Sequence, residues 1–280
     1  MSKTSFAPGK IILSGEYAVV FGFAGIAVPA RIGVQAELTE DGTTPLAVTQ
    51  SDGGSAKYIK SIAKICIKRG GTSSGTLTVT SRLPPGRGMG SSTAIVVAIA
   101  KALLGNDRKA ALSIEDTVNP GHSGLDFSVI WANAPVISKK GVAPQPLTID
   151  TGFLQSSVLI DTGHPKERTP SLVAWVKERE ACGDTGVAAA LKTIGECTER
   201  LLAGESPRTV FPDHHRAQVA LGVVPKPTQD LITAIEAAGG VAKVIGAGGR
   251  TGGGGMVLAL HKDRSTIEKI AQQHTMPALP

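Results

Sequence analysis

The stretch "LPPGRGMGSSTAIVVAIAKALL" (residues 83–104) sets three glycines and two serines directly before a long apolar run. A steric reading takes the glycines as residues that tolerate positive φ in a tight turn. An electrostatic reading takes the same turn as the mouth of a helix. There, unpaired backbone N–H groups at the positive end of the dipole suit a phosphate. The stretch lacks the GK[ST] ending of a P-loop, and no strand-linked GxGxxG with a downstream ribose acid is present. Ser91 and Ser92 fall at the start of the helix, where a hydroxyl can cap it, meet a phosphate oxygen or coordinate Mg2+.

The rest of the chain limits what such a turn can serve. At 280 residues, 41% hydrophobic and 19% charged, the protein has ample material for a globular core and room for two domains. Aromatics make up only 4%, so that core must rest on Val, Ile, Leu and Ala. The formal charge of +6 comes without a long Lys/Arg run or interleaved aromatics, which argues against nucleic acid and suits an anionic small substrate. Three cysteines without CxxC spacing argue against a disulfide framework or zinc site. The N-terminal "MSKTSFAPGK" has no apolar signal core, and no run of about 18 apolar residues occurs. A cytoplasmic protein with no membrane partner is expected.

Periodicity predicts a mixed α and β first half. "IGVQAELTE" (32–40) and "GTLTVTSRL" (75–83) alternate as half-buried antiparallel strands, and "AKYIKSIAKICIK" (56–68) has helical spacing. "KIILSGEYAVVFGFAGIAV" (10–28) reads as short strands broken by glycines. "APVISKKG" and "SVLIDTG" read as strands flanking "VAPQPLTID" (142–150), which is taken as the linker between domains 1–150 and 151–280. Helices are expected over 171–179, 187–202 and 228–238, followed by a glycine-rich strand pair, "AKVIGAGGRTGGGGMVLALH".

Three segments, taken in order, form a larger pattern: "PGKIILSGEY" (8–17), "PPGRGMGSSTA" (84–94) and "KVIGAGGRTGGGGM" (243–256). Each alone has a plain reading, as a surface lysine beside a strand, a capped helix and a loose hairpin. Together they resemble the three signature motifs of the GHMP kinases, and the match spans nearly the whole chain. Within that family the closest likeness is to the mevalonate kinases. It is carried by "GEYAVVFGFAGIAVPA", "NPGHSGLDFSV", "LIDTGHPKERTPSLVAWV" and "HHRAQVALGVVPKPTQDLITAIEAAGG".

The resemblance implies an α+β, two-domain GHMP kinase fold. An N-terminal mixed α/β ATP-binding domain would precede a C-terminal ferredoxin-like domain. It implies ATP and Mg2+, with phosphoryl transfer to the alcohol of mevalonate. By resemblance, Pro85, Gly86, Arg87, Gly88, Met89, Gly90, Ser91, Ser92 and Thr93 cradle the nucleotide phosphates, with Gly246, Ala247 and Gly248 from the third motif. Ser92 and Glu115 correspond to the metal ligands; Glu115 stands eleven residues before Asp126, the spacing of the family pattern. Asp126 corresponds to the catalytic aspartate and Lys10 to the lysine beside it, whose ammonium steadies charge developing on the phosphoryl group. Glu16, Tyr17, His122 and Asp126 are expected to face substrate.

Departures from the family pattern bear on that expectation. Tyr17 occupies a position that is usually histidine in mevalonate kinases and more often tyrosine in phosphomevalonate kinases. Asn119 stands where a histidine is usual, and His122 either touches substrate or sits in its turn. Ile245 replaces a common hydroxyl residue, and Arg250-Thr251 interrupts the third motif. Phosphomevalonate kinase is the rival within the family, and a GHMP-fold sensor without turnover is the rival outside it. A nicotinamide dehydrogenase using the 246–255 glycines is a weaker third, since no ribose-binding acid follows. A homodimer is compatible with the resemblance, although the sequence does not set the oligomeric state.

Overall fold

The computed structural model describes residues 2–52 and 55–279. These residues divide into two compact units. One groups Met1–Ile11, Val28–Pro85 and Met89–Val136; the other groups Ile12–Ala27, Gly86–Gly88 and Ile137–Pro280. The sequence reading drew one boundary near residue 150, whereas residues 137–150 group with the second unit. So do two short pieces from the first half of the chain. The glycine-punctuated segment read as several short strands forms two long ones, β1 (Ser2–Ser14) and β2 (Ala24–Thr39), each of which contributes residues to both units.

The first unit continues with β3 (Ala47–Asp52), α1 (Ala56–Lys68), β4 (Thr76–Ser81), α2 (Ser91–Leu104), α3 (Arg108–Val118) and α4 (Leu125–Ala132). β4 lies between β3, which it meets in parallel, and β2, which it meets antiparallel through pairs such as Ala36↔Val79 and Leu38↔Leu77. β1 pairs with β2. Alternation decides which face of β4 is buried, with Leu77, Val79 and Ser81 turned inward. α1 buries Ile59, Ile62, Ala63 and Cys66, one stripe of a helix whose other side is Lys-rich. α2 differs in kind: residues 93–100 are all buried, so it is apolar all round and packs on α1, α3, α4 and β4. That burial overrides the weak helix propensity of its Ile and Val residues.

The second unit adds β5 (Val136–Lys139), β6 (Val142–Pro146), β7 (Ser157–Asp161), α5 (Thr169–Ala181), α6 (Thr185–Leu202), α7 (Pro207–Leu221) and α8 (Lys226–Ala237). It closes with β8 (Val241–Ile245), β9 (Met256–Leu260), α9 (Arg264–Gln273) and β10 (Ala278–Leu279). The start of the expected linker is thus a strand, β6. Strands 7 to 10 form one antiparallel sheet in the order β10-β7-β9-β8. With helices between β7 and β8 and between β9 and β10, this is the βαββαβ, ferredoxin-like arrangement expected for the C-terminal part.

α8 and α9 cover this sheet with Leu231, Ile232, Ile235, Ile267 and Ala271, packed on Val158, Ile160, Val244 and Val257. Each large aliphatic side chain buried there contributes about 1.5–3 kcal/mol. A second cluster joins α5, α6 and α7 through Leu172, Val176, Val187, Leu191, Ile194 and Leu221, and it includes Tyr17 and Ala18. The expected helices over 171–179 and 187–202 lie within α5 and α6, and the one over 228–238 matches α8 and runs one residue past its end. α7 was not anticipated, because Pro212 interrupts its pattern. It forms because Pro207 occupies its first turn, where no amide bond is lost, and because Val210, Phe211, Ala217 and Leu221 are buried.

Candidate active site

The glycine-rich turn takes both of the roles considered for it. Gly86, Gly88 and Gly90 all have positive φ, at 68°, 80° and 70°, so alternate residues are left-handed and the peptide planes swing between them. Gly90 is the N-cap of α2 and provides no side-chain acceptor. The first amides of the helix, from Ser91, Ser92 and Thr93, are therefore left for a ligand.

In the first unit, Gly90 packs against two side chains distant in sequence. Lys10, on β1, places its Nζ 3.2 Å from Asp126 Oδ1. Its backbone N–H also donates to the Met89 carbonyl at 2.9 Å. A methyl group added at Gly90 would lie 3.1 Å from Asp126 Oδ2 and 3.2 Å from Lys10 Cγ, so it would fit only if these side chains gave by a few tenths of an ångström. Asp126 sits in the first turn of α4, where the helix dipole favours a carboxylate. The Lys10 side chain is 9% exposed and that of Asp126 35%, so the pair is anchored on one side and open on the other.

Beside them lies a polar cluster that the sequence only partly foretold. Thr93 Oγ1 donates to Glu115 Oε1 at 2.7 Å, and Ser92 Oγ donates to Asn119 Oδ1 at 2.8 Å. Asn119 Nδ2 in turn donates to Glu115 Oε2 at 3.0 Å, so one amide bridges the two expected metal ligands. Tyr58 completes the cluster, accepting from Asn119 at 3.1 Å and sharing a hydrogen bond with Ser92 at 3.2 Å. Glu115 is buried, and that burial raises its pKa despite the hydrogen bonds from Thr93 and Asn119. Among the described residues no group of three His, Cys, Asp or Glu side chains gathers. The Ser92 hydroxyl and the buried Glu115 carboxylate, joined through Asn119, nonetheless fit Mg2+, which takes few protein ligands and keeps waters. His122 faces away from such a role. Its Nδ1 accepts from the Gly124 amide at 3.0 Å and its Nε2 donates to Asp116 at 2.8 Å, fixing the turn before α4.

The second unit contains a cavity of about 340 Å³ lined by Gly86, Arg87 and Gly88, by residues 164–170, and by motif-three residues including Ala247 and Gly248. The lining carries His164, Lys166, Arg168 and Arg87, the last paired with Asp161 at 2.6 Å. Its one acid, Glu167, is occupied by Thr251 Oγ1 at 2.7 Å and by the amides of Arg250 and Thr251. The cavity thus favours an anion. Nothing in the sequence had marked Lys166 or Arg168 beyond their place in a family-like segment, because a loop position becomes a wall only through tertiary packing.

Glu16 and Tyr17, expected to face substrate, have protein partners for their polar atoms. Glu16 is buried, with Oε1 2.6 Å from Lys243 Nζ and Oε2 3.0 Å from His214 Nε2. Burial alone would push its carboxyl up, but Lys243 and His214 overcome that and hold it at about 2. The Tyr17 hydroxyl donates to the Ala247 carbonyl. Burial, with the nearby charge of Glu16, raises its pKa. Arg250 and Thr251, which interrupt the third motif, have protein partners: Thr251 Oγ1 donates to Glu167, and Arg250 stacks 4.2 Å from the Trp175 ring.

A left-handed glycine turn that bares a helix start, with a lysine–aspartate pair against it, suits the binding and transfer of a phosphoryl group. Residues 57–124 match the model of the GHMP kinases N terminal domain. The chain is 29% identical to the mevalonate kinase of Thermococcus sibiricus, over 93% of this chain and 89% of that protein. Its fold is similar to the crystal structure of the Methanococcus jannaschii mevalonate kinase, with a TM-score of 0.80 at 19% identity over 99% and 96% of the two chains. It is also similar to the L. major mevalonate kinase in complex with R-mevalonate, with a TM-score of 0.75 at 18% identity over 97% and 91%. Residues 57–124 thus carry a GHMP kinase N-terminal domain, and the protein is a kinase.

Proposed function

We propose that this kinase transfers the γ-phosphoryl group of ATP to the primary hydroxyl of mevalonate. The observation that carries the chemistry is the Lys10–Asp126 pair packed on Gly90. The substrate reading rests on full-length similarity to relatives named mevalonate kinase. In the reaction the alcohol oxygen bonds to the γ-phosphorus, the bond to the ADP oxygen breaks, and the hydroxyl proton passes to Asp126. Lys10 orients that carboxylate and counters negative charge on the phosphoryl oxygens.

The backbone of Pro85, Gly86, Arg87, Gly88, Met89 and Gly90, with Ser91, Ser92 and Thr93 at the helix start, cradles the phosphates. In the second unit, Ala247 and Gly248 line the anion cavity with Gly86 and Gly88, and with Gly246 they are the motif-three candidates for a phosphate contact. Ser92 and Glu115 would hold Mg2+, which supplies charge neutralisation on the β- and γ-oxygens. Asn119 keeps that hydroxyl and carboxylate oriented toward each other. Glu16, Tyr17 and His122 have polar atoms engaged by protein, so Asp126 carries the substrate reading.

A coupled ADP-release assay over mevalonate, phosphomevalonate, homoserine and galactose tests the reading. Turnover confined to mevalonate is expected. Preference for phosphomevalonate would transfer the assignment to that kinase, and binding of ATP without ADP release on any alcohol would make the protein a sensor.

A further inference from the structure

The second unit contains a buried ionic ladder that the phosphoryl-transfer chemistry does not use. Lys243 is fully buried on β8, and its ammonium has three acceptors: Glu16 Oε1 at 2.6 Å, the Val244 carbonyl at 2.9 Å and the Ile12 carbonyl at 3.2 Å. Glu16 Oε2 faces His214 of α7, also fully buried. Gln218, one turn further on, donates to the Val244 carbonyl at 3.0 Å. Charge is rarely placed in so dry a site, because desolvation offsets most of its attraction.

The ladder joins two places that meet again nearby. Tyr17 follows Glu16 directly and is held at a φ of 63°, a strained value for a non-glycine residue. That turn sends its hydroxyl to the Ala247 carbonyl, two residues past the end of β8. On the other side of the same loop, Gly249 donates to the Val223 carbonyl at 2.9 Å. A methyl group at Gly248 would lie only 2.1 Å from the Val223 oxygen. The loop that lines the anion cavity is therefore clamped between Val223 and Tyr17, and the Glu16–Lys243 pair fixes the register between Tyr17 and β8.

We propose that Glu16 and Lys243 are positioning residues that, through Tyr17, hold the Gly246–Ala247–Gly248 loop in its ligand-binding shape. The consequence for ATP rests on the reading that this cavity takes the nucleotide phosphates. The position of the loop itself does not depend on that reading.

Hydrogen exchange of the ligand-free protein separates the two. In Tyr17→Phe, which leaves the ladder intact, amides 246–249 should exchange at least about tenfold faster, with β7 and β9 unchanged. The double variant Glu16→Gln/Lys243→Met removes both charges together, so that neither is left buried alone, and should give the same local pattern. In both variants KM for ATP should rise about tenfold, with KM for the alcohol within twofold. Uniformly faster exchange across the unit, or unchanged exchange at 246–249, would overturn the proposal and leave the ladder as core structure. Faster loop exchange with an unaltered KM for ATP would uphold the positioning and move the nucleotide phosphates away from this cavity.

Discussion

Lys10 and Asp126 come from opposite ends of the first unit's sequence, yet their charged groups stand 3.2 Å apart. One is fixed on a strand and the other opens a helix, so neither has to find the other by loop motion. If Asp126 takes the hydroxyl proton, Asp126→Asn keeps the size and loses the base. Turnover should fall about 10²–10⁴-fold while ATP still binds. Lys10→Met should also cut kcat strongly, and the double variant should lose less than the product of the single losses. Near-native turnover by Asp126→Asn would remove that residue from the chemistry.

Gly90→Ala tests the packing of that pair. The residue has φ of 70°, and the new methyl would press on Asp126, Ile130 and Lys10. Left-handed strain alone costs roughly 1–2 kcal/mol, measurable as a lower urea midpoint. Because the crowding falls on the catalytic pair, kcat should drop further than ATP affinity. A stability loss with unchanged kcat would show that the pair tolerates displacement.

The metal assignment makes its own demand. Ser92→Ala and Glu115→Gln should each raise the Mg2+ concentration needed for half-maximal rate. Asn119→Ala should do the same more weakly, since it frees Ser92 and Glu115 from their common bridge. An unchanged Mg2+ titration for Glu115→Gln would make its eleven-residue spacing from Asp126 a coincidence.

Acid should weaken the second unit in two stages. Burial, aided by the charge of His214, holds His215 at about 4 against an ordinary 6.5. The unfolded chain therefore takes up that proton first, and stability present above pH 6.5 declines between 6.5 and 4. Glu16 sits at about 2 against an ordinary 4.5. Its contribution is full above pH 4.5 and is lost as pH falls from there toward 2. Denaturant midpoints measured from pH 7 to 3 should flatten in the upper range for His215→Asn and in the lower range for Glu16→Gln. If neither substitution alters the slope, these two groups do not govern the acid limb.

Local chemistry made much of this protein legible in its sequence. Alternation in 32–40 and 75–83 gave a strand pair, the spacing in 56–68 gave a helix, and the glycines before Ser91 gave a left-handed turn opening a helix. Such features depend on side-chain period and backbone freedom, which neighbouring residues set by themselves. Lys10, Asp126, Ser92 and Glu115 could be singled out because ordered motifs held them. Tertiary structure decided the rest. Glu16 and Tyr17 read as substrate contacts in the sequence, and only the fold showed that Lys243, His214 and Ala247 meet their polar atoms. Asn119 read as a lost histidine until it was seen to bridge Ser92 and Glu115. The anion cavity draws its walls from residues 86–88 and 164–170 and from Ile245, Ala247, Gly248, Gly254 and Gly255, which no local pattern connects. A polar side chain's role depends on whether water, protein or ligand satisfies it, and only the folded chain settles which of these is within reach.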